Sequence, residues 1–479
     1  MVKRALKLLL FIFLVFVSVL SWNTLMFTTR QKEAKVQSTP PLPPTALRHF
    51  QQLLQFKTVS YDDSSLLDTT QFIGLQKFLE RAYPYVHQKL TKEVINDYSL
   101  LYHWIGRDTT LKPAILMAHI DVVPIEPASR SLWKVDPFAG EIKDGYIWGR
   151  GTIDNKINVV SILETVEKLV RENFQPQRSV YLVFGHDEEI AGPNGAEAIA
   201  RLLQARKVTA EFVLDEGGII TQEKIPGLTT PVALLGTSEK GFLSVSLSVK
   251  KEGGHSSMPE EDTAVDILLE AIRKIRLHPA AAKFAPATED FIDYLGPELP
   301  LGKKLVFANA WLFKPLIIKA YEKTAAGNAI MRTTVVPTIV TAGVKENVVP
   351  SVATATINLR LLPGDSIKQE IRRIEKLVDD ERVHIVLKRG TEASPATSTQ
   401  SWGYQKVEET VRNTFPQTLA VPFLLIGGTD SRHFRQVTQA SIRFSPVTDP
   451  IGFHGVNERV SLESYRTALW FYEQLIRGI

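Results

Sequence analysis

The 479-residue sequence contains no cysteine, which excludes disulfides, thiolate zinc sites and thiol nucleophiles at once. Any metal must then be bound through histidine nitrogen and carboxylate oxygen. Ten histidines are few enough to weigh one by one. The chain also lacks an Asn-x-Ser/Thr acceptor, an internal repeat and any block of one charge. Lys and Arg total 56 against 52 Asp and Glu, a net +4, so no nucleic-acid partner is expected. Its 44% hydrophobic and 23% charged content is that of an ordinary folded protein. Its length exceeds one typical core, so two domains are expected.

The N-terminus departs from that average. Lys3, Arg4 and Lys7 precede an apolar run from Leu8 to Leu20 that continues, with Trp22 inside it, to Phe27. Residues 1–27 therefore read as a signal anchor or a signal peptide, the whole stretch being about long enough to span a bilayer. Arg30, Lys32 and Lys35 balance the basic residues before the run, so the positive-inside rule does not orient it. A short basic end ahead of one apolar run favours export of the remainder of the chain. The expected product is a membrane-anchored, extracytoplasmic enzyme, secreted if the segment is cleaved. Residues 28–45 hold the Pro-rich tether QSTPPLPPT, a semi-rigid spacer.

Beyond the tether, short apolar runs alternate with helical spacing. Ala114–Ala118, Val180–Phe184 and Phe212–Leu214 suit buried parallel strands, while Ile157, Val160, Leu163 and Val166 recur as on one helix face. The fold class is α/β: a mixed, mostly parallel sheet flanked by helices over residues 46–237 and 391–479. Between them, residues 238–390 read as β-α-β-β-α-β, an inserted ferredoxin-like α+β lid. Within that lid, residues 277–332 form a long excursion carrying Phe307, Trp311, Phe313 and Leu316.

Acids and histidines collect where the predicted strands end, which is where open α/β sheets place their sites. His119 follows the first run, and Asp121 falls on the same side of an extended chain. A carboxylate there can fix the far ring nitrogen of a metal-bound histidine. Asp154 closes the glycine-containing turn GRGTID ahead of a helix. Asp187, Glu188 and Glu189 follow the second run, three acids that repel one another unless cations neutralise them. Asp215-Glu216 ends the third, and His454 lies far downstream in FHGVNE. Each has a plain alternative on its own: a helix cap, a solvated loop, a surface histidine. Jointly they supply a carboxylate-rich N/O donor set suited to two divalent ions.

HxD, GRGxxDxK, DEE, DEGG and FHGVNE, in that order, resemble the family of acetylornithine deacetylase, succinyl-diaminopimelate desuccinylase, aminoacylase-1 and carboxypeptidase S. The resemblance runs from about Phe50 to the C-terminus. It implies that His119 and Asp215 hold one zinc, Glu189 and His454 the other, and that Asp154 bridges them. It also implies Glu188 as general base, Asp121 as the acid behind a ligand, and His255 in GHSS as an oxyanion donor reaching over from the lid. Asn347 and Arg360 resemble its substrate-carboxylate contacts, and Thr429 and Asp430 fall in its substrate loop. One departure is Asn155-Lys156-Ile157, where many relatives have Met-Lys-Gly.

The hydrophobic N-terminus, GHDEE, SEKG and the NAWLFKPL segment point within the family to its N-fatty-acyl-amino acid synthase/hydrolase and carboxypeptidase S branch. That implies a zinc enzyme, with cobalt or manganese as alternatives. Its expected reaction is cleavage, or formation, of the amide of an N-acyl amino acid bearing a free carboxylate. A carboxypeptidase or dipeptidase is the competing expectation. A membrane-tethered binding protein is disfavoured because the base and every ligand are present. The resemblance further implies homodimerisation through the lid. Phe307, Trp311, Phe313 and Leu316 are expected either to line an acyl slot or to pack the excursion onto the lid.

Overall fold

The computed structural model describes every residue except Met1 and Val36, which fall in the N-terminal segment and the tether. The chain forms two units, one of residues 30–237, 397–423 and 429–479, the other of residues 1–29, 238–396 and 424–428.

The first unit is built on an eight-stranded mixed sheet. Its order is Thr91–Ile95, Ser99–Trp104, Val180–Gly185, Ala114–His119, Phe212–Thr221, Ser441–Thr448, Val232–Glu239 and Leu419–Leu425. The central four strands, from Val180–Gly185 to Ser441–Thr448, run parallel, and antiparallel strands close the edges. Period-two alternation explains why the centre reads as continuous apolar runs. Ala114, Leu116 and Ala118 pack into one core with Ile157, Val160, Leu163 and Phe471. Ile115 and Met117 pack into another with Ile199, Leu203 and Phe434. Both faces are thus buried beneath helices, including Lys156–Arg171 and Leu462–Arg477 on one side and Ala196–Ala205 on the other. Parallel registry brings the carboxyl ends of these strands to one edge, with His119 opposite Gly185.

The second unit holds a four-stranded antiparallel sheet in the order Thr334–Ala342, Val352–Leu361, Gly241–Lys250, Val383–Thr391. Helices Ala264–Leu277 and Ile367–Val378 pack on it through Ile267, Leu268, Ile275, Ile374 and Val378. This is the ferredoxin-like arrangement, with each helix started by a reciprocal cap: Thr263 with Asp266, and Ser366 with Gln369. The long excursion folds into four helices, Pro286–Leu295, Leu301–Ala308, Ala310–Tyr321 and Ala325–Met331. Trp311 and Leu316 stand exposed there. The expected acyl slot lined by all four of its apolar residues is therefore not enclosed.

Candidate metal centre

His119, the last residue of its strand, is buried. Its Nε2 lies 2.7 Å from Asp154 Oδ1 and 3.2 Å from Glu216 Oε1. Its Nδ1 faces the carboxylate of Asp121 at 3.2 Å and that residue's carbonyl at 3.1 Å. Asp121 in turn accepts hydrogen bonds from the Ser60 hydroxyl (2.6 Å) and from the backbone N–H of Glu188 and Glu189. One carboxylate thus orients the imidazole and the acidic turn together.

Asp154 sits between two histidines. Its second oxygen lies 2.6 Å from His454 Nε2, which is 3.4 Å from Glu189 Oε2. The donor atoms form two groups sharing Asp154: His119, Asp154 and Glu216, and Asp154, Glu189 and His454. His119, Asp154, Glu189 and His454 are therefore brought together as the sequence suggests. Asp215 stands outside both groups. Its oxygens accept from the backbone N–H of Glu216 (2.9 Å) and Ser431 (2.8 Å). The cause is a break in registry: Arg443 pairs with Asp215, but Phe444 already pairs with Gly218. A bulge at this point re-aims a side chain, and Glu216 takes the place beside His119.

The electrostatics are those of a buried cluster of acids and histidines. Burial, reinforced by Asp154, pushes the carboxyls of Glu189 and Glu216 up. Burial also opposes ionisation of Asp154, yet hydrogen bonds to His119 and His454 hold it well below the usual range. His119 holds its proton tightly. Burial favours its neutral form, but Glu216, Asp121 and Asp154 together outweigh that. His454 is raised to about 10 by Asp154 and then Glu189. One oxygen of Glu189 is buried without a hydrogen-bond partner. An orphaned carboxylate oxygen beside two clustered N/O donor sets fits a pair of divalent cations.

Glu188 is adjacent to Glu189 yet belongs to neither group. It lies 3.5 Å from Arg432 Nη2. Burial first, then the neighbouring Asp430, raises its carboxyl well above the ordinary value. Asp430 is buried, with both oxygens lacking a hydrogen-bond partner. Thr429 bonds Ser431 at 2.8 Å.

Glu458 is a residue that sequence reasoning passed over. It is wholly buried and binds Arg150 Nη1 at 2.5 Å, and accepts from the backbone N–H of Gly151 and Ile153. Arg150 also donates to the carbonyl of His454. The Asp154 turn and the His454 loop are fastened by this ion pair together with these hydrogen bonds, and strand Arg459–Ser461 continues the join by pairing with Tyr146–Trp148. Its only sequence signal is the acid four residues after His454. Burial raises the Glu458 carboxyl to about 7 despite Arg150.

His255, Asn347 and Arg360 lie in the second unit. His255 is exposed on a two-residue strand paired with Val348–Val349, beside Asn347, and its Nδ1 is 2.8 Å from the Ser257 hydroxyl. Arg360 lies over the Phe242 ring at 5.1 Å.

The model of peptidase family M20/M25/M40 matches residues 115–478. Probable carboxypeptidase S-like 2 of Dictyostelium discoideum is 37% identical over 472 residues, covering 95% of this chain and 90% of that one. N-fatty-acyl-amino acid synthase/hydrolase PM20D1 of Xenopus tropicalis is 36% identical over 433 residues, 89% of this chain and 84% of the relative. Among solved structures, the M20 family metallo-carboxypeptidase Sso-CP2 from Sulfolobus solfataricus shares the fold with a TM-score of 0.65. That match has 17% identity and covers 91% of this chain and 99% of the other.

Proposed function

Since the chain belongs to peptidase family M20/M25/M40 and is thereby a metal-dependent amidohydrolase or peptidase, we propose that it cleaves the amide of N-acyl amino acids bearing a free carboxylate, N-fatty-acyl ones foremost. The observation that carries this reading is the position of Glu188, a largely covered side chain (12% exposed) adjacent to Glu189 and a member of neither candidate ligand group. Two zinc ions would be held by His119, Asp154 and Glu216, and by Asp154, Glu189 and His454. When bound, they would polarise the amide carbonyl and acidify water.

Glu188 then takes the water's proton and passes it to the leaving nitrogen. Burial, then Asp430, raises its proton affinity, which strengthens Glu188 as the acceptor in the first half of that transfer. Asp121 keeps the His119 ring in place, and Arg432 steadies Glu188. Asp215 holds the Ser431 backbone behind Glu216. For His255, Asn347 and Arg360 the proposal is substrate contact, read as a loss of kcat for His255→Ala and a rise in KM for Arg360→Ala.

The fatty-acyl preference rests on likeness to the synthase/hydrolase. The carboxypeptidase S-like relative, 37% identical against 36%, supports an exopeptidase as the second reading. N-oleoyl-Phe, N-acetyl-Phe and Gly-Phe, assayed side by side with and without chelator, separate them. Turnover of the oleoyl substrate above the other two supports the first reading, and preference for the dipeptide supports the second. Turnover indifferent to chelator refutes both.

A further inference from the structure

The helix Val2–Met26 has apolar side chains exposed along most of its length. At about 1.5 Å per residue it is about 37 Å long, enough for a hydrocarbon core of roughly 30 Å. Its last turns are tied into the second unit. Asn309, the fully buried residue between helices Leu301–Ala308 and Ala310–Tyr321, donates to the Leu20 carbonyl (3.2 Å) and the Thr24 hydroxyl (3.4 Å), and also to the Leu305 carbonyl. Its side-chain oxygen accepts from the Asn23 amide at 3.0 Å. The Phe27 ring presses on Gly296 so closely that a Cβ there would lie 2.5 Å from a ring carbon. A polar side chain buried at this depth needs its partners, and three of these four contacts come from the N-terminal helix.

The two clasped helices have the composition of an interfacial element. Residues 299–321 contain four lysines and no acid. Leu301, Trp311, Leu312 and Leu316 are exposed, Trp311 at 62%, close to the 64% of Trp22. Tryptophan and leucine beside lysine favour the boundary between acyl chains and anionic headgroups. A protein partner would leave the adjoining apolar helix uncovered; a bilayer covers both.

We propose that Val2–Met26 is retained as a bilayer-spanning helix and that helices Leu301–Ala308 and Ala310–Tyr321 lie in the headgroup layer beside it, the two parts locked by Asn309. The result is one membrane-facing surface. It does not depend on which amide the enzyme cleaves.

Absence of cysteine makes the test clean, since one introduced thiol carries the only label. The full chain, with a nitroxide at Leu316→Cys, Val15→Cys or Val344→Cys, is reconstituted in phosphatidylcholine–phosphatidylserine vesicles. Collisions with oxygen are compared with those with a water-soluble nickel chelate. The label at 316 is expected to favour oxygen, as at 15, while the label at 344, on a fully exposed residue, favours nickel. A 316 label matching 344 overturns the proposal. Adding Asn309→Ala is expected to move only the 316 label toward nickel. Thr24→Val makes the same test from the helix side should Asn309→Ala not fold. An unmoved 316 label in the folded variant overturns the clasp. Chain purified from membranes with residues 1–27 absent by intact mass overturns retention.

Discussion

The two candidate ligand groups share Asp154 and differ in how their histidines are held. His119 ends a strand at the centre of the sheet, is buried, and has its far nitrogen fixed by Asp121. His454 lies on a loop in the left-handed region (φ 54°), with 45% of its side chain exposed. Its position depends on the ion pair of Arg150 with Glu458. One arm is set by the sheet and the other by a clamp between two loops. Preorganisation therefore comes from different physics on either side of one carboxylate, and the two arms should fail differently.

The largest effect is expected where neither arm is touched. Glu188→Gln keeps the shape and removes the proton acceptor, so kcat should fall about 10²- to 10⁴-fold. Metal content, measured by elemental analysis, should stay at the wild-type value. A loss of metal along with activity would make Glu188 a ligand and erase the distinction between base and arms.

Next is the clamp. Glu458→Gln leaves the buried Arg150 guanidinium without its counter-charge, and breaking such a pair costs about 3–5 kcal/mol. Melting temperature should drop, and bound metal should fall by about one ion per chain while the His119 group keeps its own. Equal loss from both groups would refute the idea of separately supported arms. Asp121→Asn is the matching change on the sheet side. It should weaken metal at the His119 group by about 10- to 100-fold with little change at the other.

Protons sharpen the same contrast. Without metal, His454 keeps its proton up to about 10, above the unfolded value near 6.5. Its stabilisation of the metal-free fold is complete below about 6.5 and is lost as pH rises through about 10. Metal binding must displace that proton, so affinity rises with pH, by about tenfold per unit for one proton, and levels off above about 10. Chelator-treated protein should therefore melt lower at pH 10 than at pH 7, while metal titrations tighten over the same range. Both trends should weaken in His454→Ala.

How much of this is legible in the sequence depends on which interactions are local. The ferredoxin-like order and the parallel strands are readable because apolar periodicity records which face is buried. His119 and Glu189 are readable because they end or closely follow those strands, and Asp154 because it closes a glycine-containing turn ahead of a helix. Glu216 is not, because the strand alternation that marks Asp215 breaks at a bulge formed with Arg443 and Phe444, residues more than 200 positions away. Glu458 is hidden for the same reason: its partner Arg150 is 308 residues earlier. The excursion reads only as a long apolar stretch, since its order depends on Asn309 meeting Thr24 across 285 residues.

Ser60 is the smallest part of the comparison and the most local test of it. Its hydroxyl reaches both Asp121 Oδ2 (2.6 Å) and the His186 carbonyl (3.1 Å), and it is buried. Asp121 keeps the backbone N–H groups of Glu188 and Glu189 as donors when that hydroxyl is gone. Ser60→Ala therefore removes one of several supports and leaves no charge unpaired, a loss of about 1 kcal/mol. That corresponds to about a fivefold weaker metal affinity, confined to the His119 group, with kcat at saturating metal unchanged. An equal weakening at the His454 group would mean that Asp121 acts through the acidic turn, which carries Glu189, rather than through the imidazole. The carboxylate that orients one arm would then be shared by both.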